Sequence, residues 1–346
     1  MLERARITSG ERQLCGRIEF QRSNALSKFL IRAAYGLALL FVASLAQAGT
    51  LEVSSPTDGA FVGRTNTINF IIRGATLQVT VKATATGPGG TITSEQQFTP
   101  DVNGEIEGSL PLNFAPSVPE GAYTIVVTAT EPGNTYNDVT IVVTLDVTNP
   151  KFLDFNPISG SFVRGIVAIS VFVNEPNVKE MRIQVNNQDI PNNETDQDNF
   201  TVLWDTAGIE FDGPQTITIK VKDKANNEST QTIDVVLDRV SPVVTIQYPR
   251  TDSVLRRGGN IPAVIEVRDK ENSVHAAGVD VILVRMDNSF ITRVARTNFQ
   301  SNGDILTWSG RIRWNSKLPS TFKMRVNAVD KAGNVATMQE VVLTVR

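Results

Sequence analysis

Acidic and amide side chains are the main groups of this sequence with recognisable chemistry. The 346 residues include one His and one Cys. Cys/His zinc sites, Ser-His-Asp triads and disulfide scaffolds are nearly excluded by so few of these residues. Paired carboxylates remain, but a glycosidase needs two of them facing each other across a cleft, and no such pair is identified. We therefore predict that the protein is not an enzyme.

The densest run of acids and amides is Asn192-Asn193-Glu194-Thr195-Asp196-Gln197-Asp198-Asn199. Asp196 and Asp198 alternate with amides on a predicted loop, and such an arrangement can supply the oxygen ligands that Ca²⁺ prefers. The run lacks the Gly and the closing Glu of an EF-hand loop, so a solvated connection is the alternative interpretation. Asp196 and Asp198 are our candidate metal ligands, and no cofactor other than Ca²⁺ is predicted.

The elements that position these residues are predicted to be β-strands. Apolar residues alternate with polar ones, as in Ile217-Thr218-Ile219-Lys220-Val221, and this period of two is typical of strands. The strands recur at short intervals and are separated by Gly, Pro, Asn and Asp, as in a β-sandwich. No segment after residue 48 has the pattern of an amphipathic helix. The sequence therefore predicts an all-β fold.

Internal repeats divide the chain into three units. Segment 143–150 resembles segment 235–242, which begins 92 residues later, and the strand recurs once more at 341–344. Repeats of about 100 residues are whole domains and not turns of a solenoid. We predict three tandem antiparallel β-sandwich domains, and their ranges are 49–147, 148–240 and 241–346.

The net charge differs strongly between these units. The whole chain carries −3 with a pI near 5.5, which gives no reason to expect nucleic-acid binding. The first two units carry −7 and −6, whereas the third has 15 basic and 9 acidic side chains, a net charge of +6. Strand alternation directs four basic side chains of the third unit outward: Arg311, Arg313, Lys323 and Arg325. We predict that they bind an anionic envelope polymer or another protein, and a solvated surface of mixed charge is the alternative.

Large aromatic residues recur in one strand of each unit. An alignment of these strands places Leu112, Trp204 and Trp314 at equivalent positions. Because Leu takes the place of Trp in the first unit, the position suits a hydrophobic core better than a platform that stacks sugar rings. We therefore predict core positions, with ligand platforms as the alternative.

The N-terminal residues 1–48 are predicted to be a signal peptide with a long N-terminal extension. Arg32 precedes a 13-residue apolar run at 33–45, and Ala46-Gln47-Ala48 follows it, as at a secretory cleavage site. The run is short for a membrane span of about 20 residues. Cleavage after Ala48 would give a secreted, periplasmic or cell-surface protein. The alternative is an uncleaved anchor, which would be the only contact with a membrane.

Two hairpins carry a resemblance to a known family. Val329-Asp330-Lys331-Ala332-Gly333-Asn334 resembles the Asp-x-Ala-Gly-Asn hairpin of bacterial immunoglobulin-like repeats, and Asp223-Lys224-Ala225-Asn226-Asn227 is its counterpart in the second unit. Asp223 and Asp330 are expected to cap these turns, with calcium ligation as the alternative, and Gly333 and Asn227 are expected at the position of positive φ.

The resemblance implies a tandem chain of immunoglobulin-like, cadherin-like or fibronectin III-like domains of a bacterial envelope or secreted protein. Such chains serve in adhesion or binding, or as spacers, and the alternative is a carbohydrate-binding accessory module of an envelope polysaccharide system. Cadherin-like chains also hold calcium between domains. The residues at which this resemblance would place it are Asp146, Asn149 and Asp154 around the first linker, and Asp238, Asp269 and Glu271 around the second. Each linker itself offers one Asp where cadherin-like chains offer several.

Overall fold

The computed structural model describes residues 47–270, 273–275 and 278–346. Regular structure in these residues is mainly β-strand, with a 3-10 turn at Thr206–Gly208. No helix of these segments is long and apolar enough to cross a bilayer. The predicted signal peptide lies outside the described residues, except for Gln47 and Ala48.

The first sandwich contains ten strands. They are β1 (Gln47–Ala48), β2 (Thr50–Ser55), β3 (Phe61–Val62), β4 (Thr65–Arg73), β5 (Val79–Gly87), β6 (Gly90–Phe98), β7 (Glu105–Asn113), β8 (Gly121–Thr130), β9 (Asn134–Thr135) and β10 (Val139–Leu145). One sheet has the order β2-β4-β7, and the sheet that faces it has the order β3-β10-β8-β5-β6. The short strands β1 and β9 form a separate parallel pair.

The second sandwich repeats this arrangement with eight strands. They are β11 (Lys151–Asn156), β12 (Phe162–Val163), β13 (Ile166–Asn174), β14 (Val178–Val185), β15 (Gln188–Thr195), β16 (Asn199–Asp205), β17 (Gly213–Asp223) and β18 (Glu228–Leu237). The two sheets have the orders β11-β13-β16 and β12-β18-β17-β14-β15.

The third sandwich has nine strands. They are β19 (Val243–Tyr248), β20 (Ser253–Leu255), β21 (Asn260–Arg268), β22 (Val279–Val284), β23 (Phe290–Ala295), β24 (Gln300–Asn302), β25 (Ile305–Arg313), β26 (Thr321–Ala328) and β27 (Gln339–Val345). The sheet orders are β19-β21-β25-β24 and β20-β27-β26-β22-β23.

A short strand connects the two sheets in every sandwich. The chain leaves the first sheet after its first strand, and the following two- or three-residue strand pairs in parallel with the last strand of the opposite sheet. The long neighbours within both sheets are antiparallel. This is the strand order of an immunoglobulin-like sandwich, so the predicted fold class is confirmed.

Each sandwich encloses its own hydrophobic core. The inward residues of both sheets form three separate clusters, and their largest fully buried members include Tyr123 in the first sandwich, Met181 in the second and Phe322 in the third. The clusters arise because alternate residues of each strand face the opposite sheet. Burial of this apolar surface, at about 25 cal/mol per Å², is the main stabilising contribution.

The tryptophan alignment is partly wrong. Trp204 lies opposite the second residue of β13, and Leu112 lies opposite the second residue of β4. In the third sandwich the residue opposite the second residue of β21 is Ile312 and not Trp314. Trp314 comes directly after β25 and is equivalent to Phe114. The backbone N–H of Trp314 donates to the carbonyl of Gly259, just before β21, and that of Phe114 donates to the carbonyl of Arg64, just before β4. Trp204 is only 3% exposed, and Trp314 packs at the edge of the core, partly buried.

The last strands of the first two sandwiches end at Leu145 and Leu237, and the next sandwiches begin at Lys151 and Val243. The boundaries that we propose, after residues 147 and 240, fall within these two linkers. We call each linker, with the parts of both sandwiches around it, a junction.

Candidate metal centres at the junctions

Each candidate centre begins with the hairpin between the last two long strands of a sandwich. The Asp223 carboxylate accepts hydrogen bonds from the backbone N–H and the side-chain amide of Asn227, both at 2.8 Å. Asp330 accepts the same two bonds from Asn334, at 2.8 and 2.7 Å. Both Asp residues therefore cap their turns.

The turn geometry corrects one expectation about these hairpins. Gly333 has a positive φ of 87°, as expected, but its equivalent is Asn226 with a φ of 70°. Asn227 is instead the equivalent of Asn334, the residue that binds the capping Asp. The expectation for Asn227 was wrong because two adjacent Asn residues follow Ala225, and composition alone does not distinguish them.

The hairpin Asn also reaches back to the preceding linker. Its side-chain amide donates to the backbone carbonyl of the linker Asp, from Asn227 to Asp146 at 3.2 Å and from Asn334 to Asp238 at 2.9 Å. One Asn therefore holds the capping Asp of one sandwich beside the linker Asp that follows the previous sandwich.

A third acid completes each group. Glu175 comes directly after β13 and Asp269 directly after β21. We call Asp146, Glu175 and Asp223 the first junction cluster, and Asp238, Asp269 and Asp330 the second junction cluster. In each, one oxygen of every carboxylate lies within 4.8 Å of the others.

The two clusters differ in how far they are enclosed. Asp146 is partly exposed, whereas Glu175 and Asp223 are buried. All three acids of the second junction cluster are buried, with exposed fractions of 4 to 6%. Carboxylates are almost never buried without a partner charge. The second junction cluster, in which all three are buried, therefore has the greater need of a positive charge.

Burial and mutual repulsion shift the titration of these acids. Burial raises the pKa of Asp238, and the charges of Asp269 and Asp330 raise it further. Burial likewise raises the pKa of Asp269, with a smaller contribution from Asp330.

In the first junction cluster, burial raises the pKa of Glu175, and Asp146 and Asp223 add to the shift. Burial also raises the pKa of Asp146, with the charge of Asp223 again contributing. Both clusters therefore disfavour negative charge unless a cation is present.

Buried oxygen atoms without partners point to a ligand at the second junction. Oδ2 of Asp238, Oδ2 of Asp269 and Oγ of Ser273 are buried and form no hydrogen bond within the described residues. The Ser273 hydroxyl lies close enough to both carboxylates to lower their pKa, although it does not reach hydrogen-bond geometry. Unsatisfied buried oxygens are costly, and a cation bound by oxygen atoms would satisfy them.

Direct contacts between the sandwiches surround the second junction cluster. The guanidinium of Arg164, at the end of the second sandwich, donates to the carbonyls of Ala332 and Gly333 at 3.1 and 2.7 Å. Nζ of Lys331 lies 4.9 Å from the ring centroid of Phe162. The third sandwich is therefore docked onto the second through its hairpin.

The first sandwich carries a different arrangement at the corresponding hairpin. Glu131 takes the place of the capping Asp and accepts hydrogen bonds from Thr76, Leu77, Asn134 and Tyr136. Burial opposes its ionisation, but these bonds outweigh burial and lower the pKa of Glu131 to about 2. The carboxylate is therefore satisfied by the protein itself.

The residues that we predicted as metal ligands lie elsewhere. Asp196 and Asp198 occupy the turn between β15 and β16, where Asp196 is exposed and Asp198 half-buried. Asp196 accepts a bond from Gln197, and Asp198 accepts one from Asn199. Neither belongs to a junction cluster, and their role as ligands stays a prediction.

The four basic residues of the third sandwich do not form one surface. Arg311 and Arg313 are exposed on β25, in one sheet, whereas Lys323 and Arg325 lie on β26 in the other. Glu340 forms ion pairs with both Lys323 and Arg325, whose side chains are only 17% exposed. Strand alternation predicts their outward direction, but it does not predict that an acid on the adjacent strand β27 pairs with them.

Glu175 is the functional candidate that sequence reasoning missed. A repeated sequence feature could have indicated it: an acid stands directly after the second long strand in the second and third units. These acids are Glu175 and Asp269, and Gly74 has the same place in the first unit. The acids of one cluster are up to 92 residues apart in the sequence, so only the fold brings them together.

No protein-family model matches the sequence, and no curated protein matches it. Solved structures share its architecture at low identity. The fibronectin(III)-like modules of Clostridium thermocellum CbhA are 13% identical, with a TM-score of 0.38, and cover 57% of this chain and 94% of their own.

A Ca²⁺-stabilised adhesin with which an Antarctic bacterium binds ice is 18% identical, with a TM-score of 0.33, over 87% of this chain and 75% of its own. The I9–I11 tandem of titin is 12% identical, with a TM-score of 0.26, over 85% of this chain and 98% of its own. At these values the likeness concerns architecture alone. The strand order described above is that of three immunoglobulin-like β-sandwiches in tandem.

Proposed function

We propose that this protein is an exported, non-enzymatic adhesion, binding or spacer module of the cell surface or the secreted fraction, and that Ca²⁺ fixes the angle between its sandwiches. The observation that carries the proposal is the second junction cluster. There, three buried acids from three separate segments meet between two sandwiches, beside oxygen atoms that lack partners.

The residues of the second junction cluster fit a hard cation. Asp238 comes from the linker after the second sandwich, while Asp269 and Asp330 belong to the third. Carboxylate and hydroxyl oxygens are the ligands that Ca²⁺ prefers, and Asp238, Asp269, Asp330 and Ser273 would hold it. A cation there would neutralise the repulsion and join the two sandwiches, because its ligands come from both sides of the junction.

The proposed role follows from stiffness along the chain. Domains joined by a flexible linker move independently, whereas a ligand-bridged junction keeps one orientation. A rigid row of sandwiches holds whatever it presents at a fixed distance from its attachment. The excess of basic residues in the third sandwich supports an anionic partner, and we propose an envelope polymer or another protein in this role.

Small-angle X-ray scattering of residues 49–346 in Ca²⁺ and in EGTA tests the junction proposal. We expect one elongated shape in Ca²⁺ and a broader distribution of distances in EGTA. Asp238→Asn should scatter in Ca²⁺ as the wild type does in EGTA. Asp287→Asn, which changes an exposed Asp of the third sandwich, should behave as the wild type. Identical scattering of the wild type in Ca²⁺ and EGTA would contradict a cation-fixed junction.

Export is tested separately. Fractionation of cells that express the full chain should recover it outside the cytoplasm, and its N-terminal sequence should begin at Gly49. Recovery in the cytoplasm, or a mature protein that retains residues 33–45, would contradict the exported role or the cleavage, respectively.

A further inference from the structure

The end of the third sandwich that lies away from the second junction, which we call the distal end, is formed by three segments. They are residues 253–261, 311–323 and 343–346. Backbone hydrogen bonds join them, from Arg346 to the Leu255 carbonyl at 3.0 Å, from Trp314 to Gly259 at 2.9 Å and from Val345 to Ser320 at 2.8 Å.

The charge of the distal end is the reverse of that at the same end of the second sandwich. Its three segments contain seven basic residues and no acidic residue. The equivalent segments of the second sandwich, 161–169, 203–216 and 235–238, contain four acidic residues and one basic residue. The positive charge of the third sandwich is therefore concentrated at this end.

One residue of the distal end differs in charge from its equivalents in the first two sandwiches. In each sandwich the carbonyl of the last residue of the short parallel strand (β3, β12 or β20) accepts a hydrogen bond of 3.0 Å from a backbone N–H. The donors are Asp146, Asp238 and Arg346, respectively. Arg346 thus stands where the first two sandwiches have the linker Asp of a junction cluster. A cation site of the kind formed at the two junctions cannot begin from an arginine, so the distal end suits a ligand of the opposite charge.

The arginines of the distal end surround an open cavity. Arg256, Arg257, Arg346 and Val254 line a space of about 660 Å³. The equivalent of Arg256 in the second sandwich is Arg164, whose guanidinium donates to carbonyl groups of the next hairpin. Within the described part of the chain, the guanidinium groups of Arg256, Arg257 and Arg346 have no hydrogen bond or ion pair.

We propose that the distal end binds an acidic polymer through Arg256, Arg257 and Arg346, with phosphate or carboxylate groups of the polymer entering this cavity. Each guanidinium presents a planar set of donors that matches both groups in bidentate fashion. The exposed Arg311 and Arg313 on β25 extend the positive surface. The inference rests on the anionic partner proposed above, and it assigns that partner to one end of one sandwich.

The test compares two double variants of residues 49–346 that remove the same charge. Arg256→Gln with Arg346→Gln changes the cavity, whereas Arg268→Gln with Arg296→Gln changes two exposed arginines outside it. Fluorescence anisotropy would measure binding of labelled polyphosphate and labelled poly-L-glutamate at low and high salt. We expect the cavity variant to weaken binding about tenfold and the control variant less than about twofold, with wild-type binding reduced by salt.

Each outcome has a distinct meaning. Binding of polyphosphate alone, or of polyglutamate alone, supports the site and identifies the group that it takes. Equal weakening by the two double variants overturns the site but keeps a diffuse anionic attraction. If the wild type binds neither polymer at low salt, the proposed anionic polymer fails together with the site. Salt-sensitive self-association that the cavity variant abolishes would replace the polymer by an acidic protein surface, and so would overturn the proposal.

Discussion

Replacing Asp269 by Asn removes one of the three charges of the second junction cluster and keeps the size of the side chain. The backbone N–H of Lys270 donates to Oδ1 of Asp269 at 2.9 Å, and an amide oxygen can accept the same bond. We expect this variant to be more stable than the wild type without Ca²⁺ and to gain less stability when Ca²⁺ is added.

The magnitude follows from the spacing of the carboxylates. Their oxygens lie within 4.8 Å of one another, and at an effective dielectric constant of about 20 two unit charges at that distance repel by about 3.5 kcal/mol. Burial and the neighbouring charges raise the pKa of Asp238 and Asp269, and hydrogen bonds from the backbone of Val240 and Lys270 offset part of this cost. We therefore expect Asp269→Asn to stabilise the metal-free junction by about 1–3 kcal/mol.

Calcium should reduce or cancel this advantage of the variant. A ligand at 100 times its dissociation constant stabilises the folded state by about 2.7 kcal/mol. If the loss of one of the three charged ligands weakens the affinity for Ca²⁺ tenfold, the variant gains about 1.4 kcal/mol less from Ca²⁺ than the wild type does. In a unit of this size, about 1 kcal/mol changes the unfolding temperature by about 4–8 °C, so both effects are large enough to measure.

Thermal unfolding followed by tryptophan fluorescence is the suitable assay. Trp308 and Trp314 are in the third sandwich and Trp204 is in the second, so the signal reports mainly the two sandwiches at this junction. Asp287→Asn, which changes an exposed Asp of the third sandwich, is the matched control and should keep the full response to Ca²⁺. If Asp269→Asn responds to Ca²⁺ as strongly as the wild type does, or is less stable than the wild type in EGTA, the reasoning is refuted.

Three further predictions concern stability. Trp204→Ala should cost about 3–5 kcal/mol in urea unfolding because it empties a core aromatic site, whereas Trp314→Ala, at the edge of the core, should cost clearly less. Glu131→Ala should cost about 3 kcal/mol, since it leaves several part-buried donors without their acceptor, and a first sandwich that melts unchanged would contradict this. In EGTA, lowering the pH from neutral towards the ordinary pKa of Asp, about 4, should raise the unfolding temperature. Burial raises the pKa of Asp238 and Asp269, so they take up protons in the folded state before the unfolded chain does, and this removes their destabilising charge. The double variant Asp238→Asn with Asp269→Asn should lose this part of the pH dependence.

The fold could be predicted from the sequence because strand alternation is a local property. Ile217, Ile219 and Val221 all face the core of the second sandwich, as their spacing of two requires. The alignment of Trp314 failed because the register between two strands is set by contacts between segments far apart. No local pattern distinguishes Ile312 from Trp314 as the residue opposite the second position of β21.

The candidate site could be predicted only in part, for a related reason. Asp223 and Asp330 belong to recognisable turns, so their capping role followed from short-range patterns. Glu175 and Asp269 follow ordinary strands, and their place in a cluster depends on how one sandwich sits on the next. The neutralisation of Lys323 and Arg325 likewise depends on Glu340, which lies on a neighbouring strand.

The short parallel strand of each sandwich has a consequence for behaviour under tension. Chain entering the second sandwich reaches β12 soon after β11, and chain leaving it departs from β18, with which β12 pairs in parallel. A pulling force along the array therefore slides β12 and β18 in opposite directions, so that their hydrogen bonds are loaded together and not one after another. We expect the array to resist stretching until these bonds break at once. An element that must keep its length while its two ends are drawn apart needs this property.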